Sequence, residues 1–282
     1  MIKAGGAGAN PVSDSKNPSP ILKDYLSNIG HNVHYLNTIC VGLDAVSNGH
    51  PKPDGLNISW STKDPKLSAI KSRRFAVDAS LIFLAEANYS YLLSIAQLNE
   101  KLGRDSGLSK SGEKKSEFMM RICEELTKTT FNDDERFLLH VPALTMDWRN
   151  SIVHSKSKPK PSRYKIFKDY EKYLASKYKN LSVSHLLDHF EKTRATLKDA
   201  SCLISMSVRL IRYIDEVAYS CDDKKSYLQY LHAFEIFEKM KRLKKNKTPE
   251  RLNASINMMI QSEFPFLIDA HKLYFDEHED WN

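Results

Sequence analysis

The chain has 282 residues, 41% hydrophobic and 27% charged, which are globular values that allow one large domain or two small ones with a sizeable core. Its formal net charge is +7, with a pI near 9.0, so acidic partners such as nucleic acid are favoured, although Lys-rich solvation gives the same balance. Cys40, Cys123, Cys202 and Cys221 lie far apart with no C-x-x-C pair, so neither a zinc knuckle nor a disulfide framework is indicated, and such scattered cysteines suit a reducing cytosol.

Residues 1–20 are rich in Gly, Ala, Ser, Asn and Pro and read as a flexible tail with no signal peptide. A first helix is expected over residues 20–47, opened by Pro20 and stopped by Asn48-Gly49. The Pro- and Gly-containing stretch 49–66 reads as a loop, with Leu56–Trp60 as one short extended piece. A second helix over 65–101 is apolar almost all round from Phe75 to Leu98. Asp78, Glu86, Asn88 and Gln97 interrupt that run, so it reads as a buried central helix and no membrane partner is expected. Arg74 stands four residues before Asp78 and is its natural ion-pair partner.

A polar loop over 103–112 leads to a third helix over 113–129. Asn132 reads as an N-cap with Glu135 at the capping-box position, and Pro142 should kink or restart the helix that follows. Pro159 and Pro161 end that segment. Further helices are expected over 163–178, over 183–220 as the longest of all, over 222–245, and after Thr248-Pro249-Glu250. Leu186, Phe190, Leu197, Ile204, Ile211 and Ala218 form a core stripe along the 183–220 helix. Apolar residues from Phe264 to Phe275 should dock the C-terminal segment. No strand-and-crossover rhythm appears, so the expected fold is all-α: a helical bundle over residues 21–220 with a helical extension over 221–282 packed on it.

Chemistry concentrates at Trp148-Arg149-Asn150-Ser151-Ile152-Val153-His154 and the basic loop Ser155–Pro161. On a helical wheel Leu144, Trp148 and Ile152 form the core stripe, whereas Asp147, Asn150 and His154 share a polar face. Arg149 projects roughly 140° away from His154 on an ideal helix. A straight helix therefore keeps the two groups apart, and a symmetric dimer is the way to bring Arg and His together. Imidazole exchanges a proton near neutral pH, and guanidinium binds phosphate oxygens in a bidentate way. Together they suffice for RNA cleavage by its own 2′-hydroxyl, with no metal or other cofactor required. Asn150 can orient the phosphate, and Lys156, Lys158, Lys160 and Arg163 can hold the flanking backbone.

Other candidates carry weaker signals. His185 and His189 have the i, i+4 spacing of a metal pair but lack a third ligand. Lys239, Lys241, Arg242, Lys244, Lys245 and Lys247 form a basic run that suits a solvated helix end or RNA contact. Tyr173, Tyr178, Tyr227 and Tyr230 offer rings for base stacking or for the core.

Arg149-Asn150-Ser151-Ile152-Val153-His154 resembles the R-x(4–6)-H motif of HEPN domains, an all-α superfamily with many ribonucleases. An apolar helix with internal acids, a variable loop, the motif helix and a long helix repeat that architecture over residues 21–220. The resemblance implies Arg149 and His154 as catalytic residues supported by Asn150, and an acid from an earlier helix, Glu86 or Asp78. It further implies a homodimer with a composite, metal-independent site that cleaves RNA to a 2′,3′-cyclic phosphate. The contexts implied are toxin–antitoxin, abortive-infection and antiviral systems, with an antitoxin or other regulatory partner, in the cytoplasm. The alternatives are a non-catalytic HEPN-like module that binds RNA, nucleotide or protein, and a plain helical scaffold.

Overall fold

A computed structural model describes residues 18–104, 110–127, 131–154, 156–221, 223–244 and 248–275. Among them every regular element is helical, as expected of an all-α chain, and no strand occurs, including at Leu56–Trp60. The tail expected over 1–20 lies outside the described residues except for its end. There Ser19 is fully buried, because it caps helix α1 (Pro20–Ser47) and bonds across the bundle. Its backbone N–H and hydroxyl donate to Asp215 Oδ2 and Oδ1 at 3.1 and 2.5 Å. The Tyr91 hydroxyl adds a third donor to Asp215 at 2.9 Å. Burial raises the Asp215 pKa, and these donors oppose the rise by favouring the carboxylate.

Helix α2 (Pro65–Lys101) is the longest element and the axis of the fold. By length and composition alone it could cross a membrane. Here its apolar side chains pack instead against four helices: α1, α3 (Lys115–Thr127), α4 (Val141–Val153) and α7 (Leu197–Ala218). Asn88, in the middle of the apolar run, is completely buried and satisfies three of them at once. Its Oδ1 accepts from Tyr25 of α1 at 2.8 Å, and its Nδ2 donates to Thr145 of α4 and Ser207 of α7 at 3.3 and 3.1 Å. A buried amide pays its desolvation only when such partners are met, so this one fixes the register of the bundle. Asp44 near the end of α1 and Arg73 near the start of α2 stand 3.7 Å apart, and Tyr25 early in α1 bonds Asn88 further along α2, so the two helices run antiparallel.

Pro142 restarts the chain as expected: a 3-10 segment, Asp133–His140, gives way to α4 with proline in its first turn. Asn132 caps that segment by accepting from Asp134 N–H at 3.0 Å. Glu135 does not close a capping box; it turns inward, bonding Arg209 of α7 at 2.8 and 2.6 Å and accepting from the Tyr173 hydroxyl.

Three expected helices are broken. Residues 161–178 form a 3-10 stretch, Pro161–Tyr170, and then α5 (Glu171–Lys177). Residues 183–220 are α6 (Val183–Glu191) and α7, separated where Thr193 adopts φ +49°. Thr196 and Asp199 then form a reciprocal capping box that starts α7, and Leu197, expected in the core, is 39% exposed at its first turn. Residues 224–244 are α8 (Lys224–Ala233) and α9 (Ile236–Lys244), parted at Glu235 with φ +55°. Thr248 and Pro249 open α10 (Pro249–Glu263), followed by α11 (Ile268–Tyr274). Phe264 and Leu267 dock as expected, whereas Leu273 is 76% exposed. Tyr227 and Tyr230 are fully buried, which assigns them to the core. Tyr219 and Tyr230 meet Phe266 with ring centroids 4.5 and 5.8 Å apart, joining the C-terminal helices to the end of α7.

Candidate functional site

The last turn of α4 is held by Trp148, fully buried with its ring 5.4 Å from Phe190. Asp147, one residue earlier, accepts from Arg163 Nη1 at 3.0 Å and from the Tyr164 hydroxyl at 2.6 Å. Arg163 Nη1 also reaches Ser116 Oγ of α3 at 3.1 Å. These bonds clamp the chain after the basic loop against the polar face of α4. Burial, and then the Asp147 carboxylate, raise the Tyr164 pKa, so its hydroxyl keeps its proton and stays a donor.

Arg149 and His154 meet within one chain. Arg149 Nη1 lies 3.1 Å from His154 Nε2 and 3.2 Å from Asn150 Oδ1. The wheel fails because α4 ends at Val153. His154 caps it with φ −115° and ψ 107°, an extended conformation, while its N–H still donates to Asn150 O at 2.9 Å. The imidazole therefore leaves the helical path and turns back toward the guanidinium. An Nε2 that accepts from Arg149 belongs to a neutral ring with its proton on Nδ1. Its one lone pair then points at the guanidinium, so Nε2 is open to another donor only when that contact loosens.

Of the two acids expected to assist, Glu86 is at the site. Its Oε1 lies 3.0 Å from Arg149 Nε, an ion pair by distance without hydrogen-bond alignment. Its Oε2 lies 3.4 Å from Lys115 Nζ, which sits 4.3 Å over the Tyr89 ring. Asp78 is paired with Arg74 at 3.9 Å instead, roughly two turns of α2 away. Burial raises the Asp78 pKa and Arg74 lowers it.

Arg149, Asn150 and His154 line an open cleft of about 690 Å³ together with Lys158, Lys160 and Arg163. Lys114 and Lys115, at the start of α3, complete the cationic wall, and Glu117 and Asp147 are the carboxylates facing it. Sequence reading missed the two α3 lysines, since only packing brings that helix end opposite α4. Lys156 is exposed but lies outside the cleft lining. Among the described residues, Arg149 Nη2 makes no hydrogen bond, and its N–H groups are left for an oxyanion.

His185 and His189 do not form a metal pair with a third ligand: among the described residues no group of three metal-ligating side chains occurs. His189 Nδ1 instead meets Asp199 at 2.8 Å. Of the basic run on α9, Lys239 pairs with Glu263 and Lys241 with Glu238, and Lys245 and Lys247 lie outside the described residues.

The fold and site thus define an all-α protein with a cationic cleft built around an Arg–His contact. No family model, curated protein or solved structure matches the chain.

Proposed function

We propose that this chain is a metal-independent endoribonuclease of HEPN type, acting as a homodimer on cytoplasmic RNA. The observation that carries the reading is the 3.1 Å contact between Arg149 Nη1 and His154 Nε2 at the wall of a lysine-rich cleft. A phosphodiester seated on the open Nη2 edge of Arg149 sets its ribose beside the imidazole. As Arg149 Nη1 turns from the ring to the phosphoryl oxygens, it frees His154 Nε2 to take the 2′-hydroxyl proton, O2′ bonds to phosphorus and the P–O5′ bond breaks. A second imidazole, from a second copy, returns a proton to O5′. The products are a 2′,3′-cyclic phosphate and a 5′-hydroxyl, and Arg149 neutralises the charge that builds on the phosphoryl oxygens. Asn150 orients the guanidinium through its Oδ1, and Glu86 holds it from the other side. Each copy thus supplies its own Arg–His pair, and the dimer's task is to provide the acid.

A second copy also suits the surface. Ten of the fourteen large apolar side chains exposed among the described residues lie between Tyr35 and Phe83, on the α1–α2 hairpin and its connection. Phe83 stands beside Glu86 in the groove between α1 and α2, so that face borders the catalytic residues. An enzyme that cuts RNA harms its own cell unless controlled, which fits a toxin or antiviral effector with a regulatory partner.

The test is incubation of purified protein with total RNA in EDTA, followed by mapping of the new ends. Cyclic phosphate ends that vanish with His154→Ala are expected. Cleavage unchanged by both His154→Ala and Arg149→Ala would sink the proposal. RNA binding without cleavage by the unaltered protein would assign the fold to a non-catalytic binding module.

A further inference from the structure

The residues from Lys156 to Lys179 hold nine Lys and Arg side chains against two carboxylates, Asp169 and Glu171. That excess equals the +7 of the whole chain, so the remaining sequence is charge-balanced. The segment begins in the cleft, where Lys158, Lys160 and Arg163 line the wall beside His154. It continues as the 3-10 stretch Pro161–Tyr170, which buries Tyr164 and Phe167. The stretch is kinked at Tyr164; past the kink Lys165 and Lys168, three residues apart, fall in one exposed row beside buried Phe167. Lys172 follows as an exposed side chain in the first turn of α5, whose Leu174 faces the core.

Several other surface lysines are paired. Lys114, Lys192, Lys241 and Lys272 each have a carboxylate three or four residues away, within 4.0 Å. Lys165, Lys168 and Lys172 have no ion pair among the described residues, although Asp169 and Glu171 are close in sequence. An unpaired row of cations leading away from a cleft is a path for a polyanion. Its pitch, about 6 Å per 3-10 turn, is a single line and follows one backbone rather than the two that border a duplex groove.

We propose that Lys165, Lys168 and Lys172 form a track that carries the backbone of single-stranded RNA out of the Arg149–His154 cleft. The track makes strand length beyond the cleft a determinant of affinity. The identity of the strand as RNA rests on the ribonuclease reading, but the binding it predicts does not require cleavage.

Full-length His154→Ala protein is titrated with labelled oligouridylates of about four and about sixteen nucleotides at several salt concentrations. The same is done after adding Lys165→Gln, Lys168→Gln and Lys172→Gln together, three exposed changes that leave the core untouched. The triple variant should lose about tenfold or more in affinity for the long strand and little for the short one. Its slope of log K against log salt should fall by about 2, near 0.7 for each phosphate contact removed. An unchanged slope and affinity for the long strand would overturn the track. So would an equal loss on both lengths, duplex RNA bound as tightly as the single strand, or phosphatidylserine vesicles that displace the long strand. Absence of cleavage by the unaltered protein, with the length effect intact, would remove the ribonuclease reading and leave the track standing.

Discussion

Arg149 Nη1 and His154 Nε2 stand 3.1 Å apart in a single chain, joined by a helix end rather than by a dimer. Groups that act as one unit lose their function together, so their deletions are not additive. His154→Ala and Arg149→Ala should each slow RNA cleavage by ~10²–10⁴-fold, and the double variant should be scarcely slower than either. Rates on a defined RNA check this; independent, multiplying losses would show that the contact is not a working pair.

Mixing the two single variants separates an in-chain pair from one shared across copies. Each mixed dimer holds only one Arg149 and one His154, and they sit on different chains. No recovery of activity is expected beyond that of the parents. Recovery toward a fraction of the unaltered rate would mean that Arg and His from different copies meet, and would overturn the in-chain reading.

Glu86 sets a different expectation. Its carboxylate lies 3.0 Å from Arg149 Nε and 3.4 Å from Lys115 Nζ, so it both steadies the guanidinium and repels an incoming phosphate. Glu86→Gln should bind RNA several-fold more tightly in the His154→Ala background, near ~1 kcal/mol for one partly exposed charge. In the otherwise unaltered enzyme it should slow cleavage about tenfold, since Arg149 is less well held. If affinity and rate both rise, Glu86 is a competitor of phosphate and not a support.

How much of this was legible varied with the kind of signal. Helices 20–47 and 65–101 were placed to the residue, because Pro20, Asn48-Gly49 and Pro65 punctuate them. The breaks near Thr193 and Glu235 were missed, since positive φ at a non-glycine residue leaves no mark in composition. The Thr196-x-x-Asp199 capping box was the available signal for the first of them. At the site, residue types were readable but their meeting was not: the wheel extends a helix through His154, and the backbone stops at Val153. Glu86 and Asp78 are alike as acids on one helix, and only packing shows which one faces α4.

Arg163, expected to hold RNA, is also a strut. Its bonds to Asp147 and Ser116, with Tyr164 on the same carboxylate, fix the basic loop against α4 and α3. Asp147→Ala strands a guanidinium and the hydroxyl of a fully buried tyrosine, and should cost about 2–4 kcal/mol. Urea denaturation checks the loss; a change under about 0.5 kcal/mol would show the clamp to be ornamental to the fold.

His271 of α11 is buried against Tyr227, whose hydroxyl lies 2.6 Å from Nδ1. Burial lowers its pKa below the usual histidine value of about 6.5. A depressed folded pKa favours the neutral ring in the native state. Its contribution is therefore complete above about pH 6.5 and is lost as pH falls toward the lower folded value. His140 is lowered too, by burial and then by Arg163 and Arg136, and adds a loss of the same sign. Thermal midpoints measured across pH 7.5 to 5 should thus decline on acidification. His271→Gln should flatten part of that decline while His140 retains the rest.

The α1–α2 hairpin gives the last expectation. Phe75 and Phe83 are 76% and 42% exposed and lie in or beside the grooves between the two helices. Packing them against the same face of a second copy removes them from water, and a glutamate placed there must instead be desolvated. Phe75→Glu with Phe83→Glu should turn a dimer into a monomer by sedimentation, with little change in helix content. Cleavage should fall with dimerisation, since the second imidazole departs, while RNA binding to the cleft persists. A double variant that still sediments as a dimer would show that the copies meet elsewhere. A monomer that cleaves at full rate would show that one chain supplies both base and acid.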